Sequence, residues 1–271
     1  VYHNNTNNNT TNNKPATGVI MLPNNIACSI NGSVDKILLQ NTLVQQATIG
    51  MQLQQGVLQL NNTGFRIADA TVSMQGNYYA TTPTKAYFNY QLKADSFDVQ
   101  KLYKQVPLFR SMAPSAKRAK GVASLEYKIS GRLNSSMMPI LPSIKGNGTL
   151  RLERVSFYGF KLLDGMGKAA NKDSLKGSVS GVVIKSTIAN NIFTIERVKL
   201  KMAGFRPRFE GQMSLDGRLN LKARLGLPPL GIFGIPMHIS GTREKPIFKL
   251  KRSQDQLGAV PDEDADTDAT P

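Results

Sequence analysis

The sequence is poor in the residues that most enzyme and metal sites use. Its 271 residues include no Trp, one Cys and two His. A lone Cys28 excludes an internal disulfide and a cysteine metal cluster. His3 lies in an Asn-rich lead-in and His238 lies in a predicted strand, so no His cluster has metal-ligand spacing. The acidic residues are mostly isolated between basic ones, which gives no paired carboxylates for acid–base chemistry. We therefore expect no catalytic residue, metal site or cofactor.

The chain also lacks a long apolar segment that a membrane-spanning helix would need. One uncharged run, 225–242, contains three prolines and four glycines, which a spanning helix hardly tolerates. The first residue is Val, and no signal-peptide pattern follows it. We expect a segment of a longer or processed protein, with any membrane anchor upstream.

The charge divides the chain into two unequal parts. Residues 1–252 hold all 34 Lys and Arg against 12 acids, a net +22, whereas 253–271 hold six acids and no base. A basic body has three interpretations: a solvated face, contact with anionic lipid headgroups, or nucleic-acid binding. The absence of an aromatic stacking platform disfavours nucleic acid. The densest basic clusters, which we predict to contact an anionic surface, are Lys117, Arg118, Lys120, Lys249, Lys251 and Arg252.

Most of the chain shows the two-residue period of half-buried strands. In the clearest part, 177–250, apolar residues alternate with polar ones. Asn190-Asn191 marks a turn, and Asp216-Gly217 predicts a two-residue hairpin. The alternation slips at Glu196 and Arg197, which predicts a β-bulge. Strands are also predicted from 26 to 95, with turns at Gln55-Gly56 and at 61–64. Alternation with one wet face indicates an antiparallel sheet.

Two segments interrupt the strands with helical spacing. Ser96 or Asp98 can cap a short helix that Pro107 limits, and 160–172 has helical spacing at its apolar positions. The predicted fold is therefore mainly β: an extended, curved antiparallel sheet, as a groove or half-barrel, with two short helical insertions. We divide the chain into an Asn/Thr-rich disordered linker (1–17), a β-groove domain (18–252, with possible halves 26–120 and 121–250) and an acidic disordered tail (253–271).

The closing segment carries a family resemblance. The sequence Ile235-Pro-Met-His-Ile-Ser-Gly-Thr ahead of Pro246, with the Gly-rich stretch from Phe205 to Leu225, resembles the C-terminal region of the AsmA family of bacterial envelope proteins. The resemblance implies a periplasmic protein tethered to the inner membrane. It also implies an oily β-trough, related to bridge-like lipid transfer proteins, that serves phospholipid traffic in outer-membrane biogenesis.

The apolar faces of roughly a dozen strands must be buried in something, and two short helices cannot cover them all. We therefore predict that part of this surface contacts an acyl chain, with no specific polar site. The predicted lipid-facing residues are Val182, Ile184, Ile188, Leu200, Met202, Phe209, Met213, Leu215, Leu219, Leu221, Ala223 and Leu225. The alternative is a closed β-sandwich, a structural or interaction module of an envelope assembly that carries no lipid and uses its basic surface to dock a protein partner.

Overall fold

The computed structural model describes residues 18–39, 42–171, 177–202, 204–229 and 231–250. They form one 13-stranded antiparallel sheet in which every strand pairs with its neighbours in sequence. The strands are β1 (Cys28–Leu39), β2 (Thr42–Gln54), β3 (Val57–Ile67), β4 (Ala70–Thr82), β5 (Lys85–Asp98), β6 (Ala119–Leu133), β7 (Lys145–Phe157), β8 (Gly177–Ala189), β9 (Ile192–Lys199), β10 (Arg206–Ser214), β11 (Leu219–Gly226), β12 (Gly234–Gly241) and β13 (Pro246–Leu250). The sheet is not closed, because β1 pairs only with β2 and β13 only with β12. The predicted mainly β fold is confirmed.

Tight turns occur where the sequence indicated them. Asn190 and Asn191 both adopt the left-handed conformation between β8 and β9, as do Gln55 and Gly56 between β2 and β3. This backbone conformation matches the twist of the flanking strands in two-residue hairpins. The predicted two-residue hairpin at Asp216-Gly217 is wrong. The β10–β11 connection has a three-residue loop, since the Ser214 amide donates to the Arg218 carbonyl (2.9 Å).

The predicted bulge in β9 is confirmed, and a predicted turn is wrong. Two residues, Glu196 and Arg197, lie opposite Glu210, because Ile195 pairs with Gly211 and Val198 with Phe209. Residues 61–64, however, are part of β3 and form no turn. The register shifts there between Leu60 and Thr63, and Asn62 has φ 50°. A bulge uses the same Asn and Gly residues as a turn, which explains the error.

The first helical insertion follows β5 and is broken at Val106. Helix α1 (Val99–Gln105) begins at Asp98, whose carboxylate accepts a hydrogen bond from the Lys101 amide (2.8 Å). Pro107 cannot continue α1, but it opens α2 (Pro107–Met112) at the position where a missing N–H costs nothing. Both the predicted cap and the predicted limit at Pro107 are therefore confirmed.

The second insertion, α3 (Lys161–Ala169), connects β7 to β8 and packs six strands away on β13. Leu163 and Met166 are each 1% exposed. The aromatic ring of Phe248 in β13 lies so close to Gly165 that a Cβ atom there would overlap it. Because α3 leaves β7 and reaches β13, the sheet between these strands curls around the helix. The main hydrophobic core lies here and extends back to β4 and α1.

The boundary between the two predicted halves, 120/121, falls inside β6. Residues 1–17 and 251–271, which contain the predicted linker and tail, lie outside the described residues.

Candidate functional site

One face of the sheet is apolar in every strand; we call it the inner face and the opposite one the outer face. Residues paired across antiparallel strands share a face, so the register identifies the rows that run across the sheet. One row crosses eleven strands without a break, and we call it the apolar row. Its members are Ile30, Met51, Leu60, Gly76, Tyr90, Ile129, Gly146, Ile188, Phe193, Met213 and Leu219.

The apolar row is only partly covered by the rest of the described chain. Ile30 at its β1 end is 53% exposed, whereas Leu219 at its β11 end is 7% exposed. The nine members between them are all partly buried. The row is therefore a strip of partly accessible apolar side chains, most exposed at β1 and buried at β11.

The predicted lipid-facing residues divide into two groups in the structure. Seven are buried by the protein's own atoms and are at most 8% exposed: Val182, Leu200, Met202, Leu219, Leu221, Ala223 and Leu225. Five are partly buried: Ile184, Ile188, Phe209, Met213 and Leu215. Ile188 and Met213 belong to the apolar row. Leu215 lies in the β10–β11 loop, away from the strands.

Accessible apolar side chains of the inner face also lie at the other end of the sheet, which sequence reasoning did not select. In β1, Val34 is 40% exposed and shares the inner face with Ile30. Leu53 and Leu58 pair with each other on the same face and are partly buried. Leu58 also packs against the cluster of Val19, Tyr78 and Ala86. We call the other five residues, Ile30, Val34, Met51, Leu53 and Leu60, the uncovered strip. The sequence shows the alternation of β1–β3. It does not show which strands an inserted helix covers.

Polar groups interrupt the inner face at three tyrosines. The Tyr127 hydroxyl lies 3.2 Å from the Ser186 Oγ, and its ring covers Gly148 in the strand between them. The Tyr78 hydroxyl donates to the Ile20 carbonyl (2.8 Å), which ties the segment before β1 to the inner face. Burial raises the pKa values of Tyr78, Tyr90 and Tyr127 above the ordinary value of tyrosine, since the charged phenolate is poorly solvated there. These groups are therefore neutral hydrogen-bonding partners at pH 7.

The predicted anionic-surface residues do not form one patch. Lys117, Arg118 and Lys120 lie beside α1, where Arg118 donates to the Gly159 carbonyl and the Lys120 ammonium lies 5.4 Å from the Tyr158 ring centre. Lys249 lies on the outer face of β13, paired with His238. Lys251 and Arg252 lie outside the described residues.

The register instead aligns another set of basic residues on the outer face. Lys199 in β9 pairs with Arg208 in β10, and Arg208 pairs with Arg224 in β11. We call these three residues the cation row. Arg224 also donates to the carbonyls of Gly231 (3.0 Å) and Ile232 (2.6 Å). In the sequence these residues are far apart, so only the strand register reveals the row.

The described part of the chain offers little else for chemistry. Within it, no three His, Cys, Asp or Glu side chains are grouped as metal ligands would be. His238 lies on the outer face, with its Nε2 2.9 Å from the Asn220 Oδ1. None of the described helices has the length and apolar character needed to cross a membrane.

Comparisons with known proteins add no relative. No family model, curated protein or solved structure matches this chain. The resemblance to the AsmA family therefore stays a prediction from the sequence.

Proposed function

We propose that this protein binds phospholipid acyl chains along the apolar row and acts without catalysis. The observation that carries the proposal is the continuity of that row across eleven strands of an open sheet, with a partly exposed course from β1 to β10. An acyl chain lying along it would gain on the order of 0.8 kcal/mol per buried methylene. A dozen methylenes would thus hold a lipid without a dedicated polar site.

The cellular role in the proposal follows the family resemblance. We place the protein in the periplasm, tethered to the inner membrane by a segment outside this chain. There it would bind or conduct phospholipids between membranes during outer-membrane biogenesis. The free β1 end of the apolar row is the entry or exit point, because it is the most exposed end.

Site-specific photo-crosslinking tests the proposal. A photoreactive amino acid at Ile30, Met51 or Met213 should yield phospholipid adducts in cells. Gln52 and Ser29 are matched outer-face controls in the same strands, and Leu221, which is 1% exposed, is a buried control. Adducts of equal yield at inner and outer positions, or at none, would reject lipid binding along the row.

The alternative function is a structural or interaction module, and one observation favours it. Among the described strands, the 12-residue β1 pairs on one side only, and an exposed edge can accept a strand from a partner protein. Native mass spectrometry of the protein purified from cells distinguishes the lipid-binding function from the protein-binding function. A lipid-binding protein should retain phospholipid masses, whereas a protein-binding edge should retain a polypeptide instead.

A further inference from the structure

An open depression lies on the outer face of the sheet, on the side opposite the apolar row. Its volume is about 580 Å³, which is within the usual range for small-ligand sites, roughly 300–1,000 Å³. The register places two rows of side chains in it, one across β4–β6 and one across β4–β7. We call this site the polar depression; its rows are Tyr79, Tyr87 and Arg132, and Asn77, Asn89, Ser130 and Lys145.

The polar depression is built on regular structure. The short turn Leu141–Ser143, just before β7, bounds it on one side. The Ser143 hydroxyl accepts a hydrogen bond from the Arg132 amide (2.9 Å), which holds this turn beside β6. In the first row, the rings of Tyr79 and Tyr87 stack with their centres 5.0 Å apart. The side chains of the site are therefore positioned by sheet pairing, by the turn and by the aromatic pair.

Positive charge is concentrated at the β6–β7 side of the polar depression. Lys145 pairs with Ser130 and is a diagonal neighbour of Arg132, which puts the Cβ atoms of the two cations about 7 Å apart. None of the described residues that line the depression is acidic. Neither cation forms an ion pair with a carboxylate of the described chain. The pair therefore attracts a carboxylate or phosphate, which arginine can bind through two parallel hydrogen bonds.

The second row of the polar depression suits hydroxyl groups. Asn77, Asn89 and Ser130 lie side by side on β4, β5 and β6. Each of these side chains can both donate and accept hydrogen bonds. Within the described residues, none of the three side chains bonds to another protein group. Sugar hydroxyls also donate and accept, so they match this row.

The polar depression differs from a surface that would hold an acyl chain or a nucleobase. Its described lining includes no aliphatic apolar side chain that could cover an acyl chain. The planes of the Tyr79 and Tyr87 rings differ by 13°, so each ring gives one face to the other and no base can stack between them. The ring edges and the phenol hydroxyls remain available, and these suit a polar sugar ring.

We propose that the polar depression binds an acidic saccharide, a short sugar chain that carries carboxylate or phosphate groups. Arg132 and Lys145 bind the anionic group, the row of amides and hydroxyls binds the sugar hydroxyls, and Tyr79 and Tyr87 contact the sugar ring. The second row runs from β4 to β7, or about 14 Å at the usual strand spacing, which favours an oligosaccharide over a single sugar. The inference does not depend on lipid binding at the apolar row, because the two surfaces lie on opposite faces.

Binding of the full chain to an oligosaccharide array tests the proposal. The array pairs uronic-acid and phosphorylated oligosaccharides with neutral counterparts of the same length. At low salt we expect at least one acidic member to bind about tenfold more tightly than its neutral counterpart, because charge-assisted hydrogen bonds are lost with the anionic group. Equal binding of every acidic and neutral pair, or no binding to any member, overturns the proposal.

Two charge-matched variants separate a defined site from general attraction by a basic protein. R132Q/K145Q should weaken binding to the acidic member by at least about tenfold. R151Q/K185Q removes one Arg and one Lys from exposed outer-face positions of β7 and β8, and it should leave the affinity unchanged. Equal losses in the two variants would show that only net charge matters, and the proposal would fail.

A third measurement asks whether the ligand is recognised as a sugar. N77A/N89A should weaken binding to the acidic member by at least about threefold, whereas N147A, an exposed amide in the neighbouring outer-face row of β7, should not. No effect of N77A/N89A would reject recognition of sugar hydroxyls. Inorganic phosphate, AMP and phosphatidylglycerol vesicles serve as competitors. Displacement of the acidic member by an equal concentration of any of them would overturn the proposal in favour of an anion, nucleotide or membrane site. Far-UV circular dichroism checks that each variant folds.

Discussion

Strands β1–β3 and β10–β12 have the same alternation of apolar and polar residues, but their apolar sides have different surroundings. In β11, Leu221 is 1% exposed and Leu225 is 0% exposed, because their inner face packs into the main core. In β1, Ile30 is 53% exposed on that same face. The alternation of a strand therefore reports which side is apolar, but it does not report what covers that side.

The difference between the two regions comes from the helical insertion after β7. Helix α3 fills the curled part of the sheet, and Leu163 and Met166 reach full burial there. In the segment before β1, Val19 packs against Tyr78 and Ala86, but Ile30 and Val34 of β1 stay exposed. Four predictions follow from this contrast, in order of decreasing effect.

The largest effect is expected from truncating the helix that fills the C-terminal region. Leu163→Ala should lower the free energy of unfolding by about 2–5 kcal/mol, since it leaves a cavity in a packed core. Met51→Ala in the uncovered strip should cost less than about 1.5 kcal/mol, because its side chain is already partly in water. Urea unfolding followed by circular dichroism measures both. Similar losses for the two variants would mean that the strip is packed as tightly as the core.

Amide hydrogen exchange should show the same contrast without mutation. Local opening is easiest where few buried contacts hold a strand. We expect protected amides of β1 to exchange at least about 100-fold faster than those of β11. Mass spectrometry of peptides from 28–39 and 219–226 measures this difference. If lipid occupies the apolar row, added phospholipid should slow β1 selectively; equal protection of β1 and β11 in the free protein would contradict the contrast.

Alanine substitutions at two glycines compare how tightly the chain is packed around the backbone in β7 and in β1. A Cβ atom at Gly148 would overlap the Tyr127 ring, whereas one at Gly32 in β1 meets nothing within 4 Å. Gly148→Ala should therefore destabilise the protein by about 1–3 kcal/mol. Gly32→Ala should be neutral or stabilise it by up to about 1 kcal/mol, because alanine is favoured over glycine within a strand. Thermal unfolding of both variants at pH 7 measures the difference, and a larger loss from Gly32→Ala would refute it.

The smallest effect concerns the buried tyrosines at alkaline pH. Burial raises the pKa of Tyr90 and Tyr127, so above about pH 10 the unfolded chain loses these protons before the folded one does. The contribution of these two tyrosines to stability should therefore be constant below that pH and fall as pH rises further. Tyr127→Phe should reduce the slope of this fall, measured as urea midpoints from pH 8 to 11. Tyr79→Phe, on the stacked Tyr79–Tyr87 pair of the outer face, is the matched substitution; an equal change in slope would exclude burial as the cause.

Local features of the fold could be predicted from the sequence because their causes lie within a few residues. The Asp98 cap, the Asn190-Asn191 turn and the bulge at Glu196 and Arg197 each depend on neighbouring side chains or on a local change of alternation. The mistaken turn at 61–64 has the same origin, since Asn and Gly are suited to both turns and bulges. Outside the two helical insertions, the sheet order also follows from short connections, which favour pairing between sequential strands.

The candidate site could not be predicted in the same way, because it depends on contacts distant in sequence. The packing of Gly165 against Phe248 joins residues 83 positions apart, and the helix that carries Gly165 shares one core with Leu221 and Leu225. The register that aligns Lys199, Arg208 and Arg224 depends on the β9 bulge and on two hairpins. The sequence could therefore predict which residues are apolar or basic, but not which of them remain accessible.

The strictly sequential strand order also bears on how such a protein can change length. Each strand pairs only with those before and after it in the chain. A hairpin gained or lost at the β1 edge would therefore leave the pairing of all other strands, and the packing of α3, unchanged. Evolution could thus lengthen or shorten the apolar row two strands at a time at the β1 edge, while the end that packs against α3 stays the same.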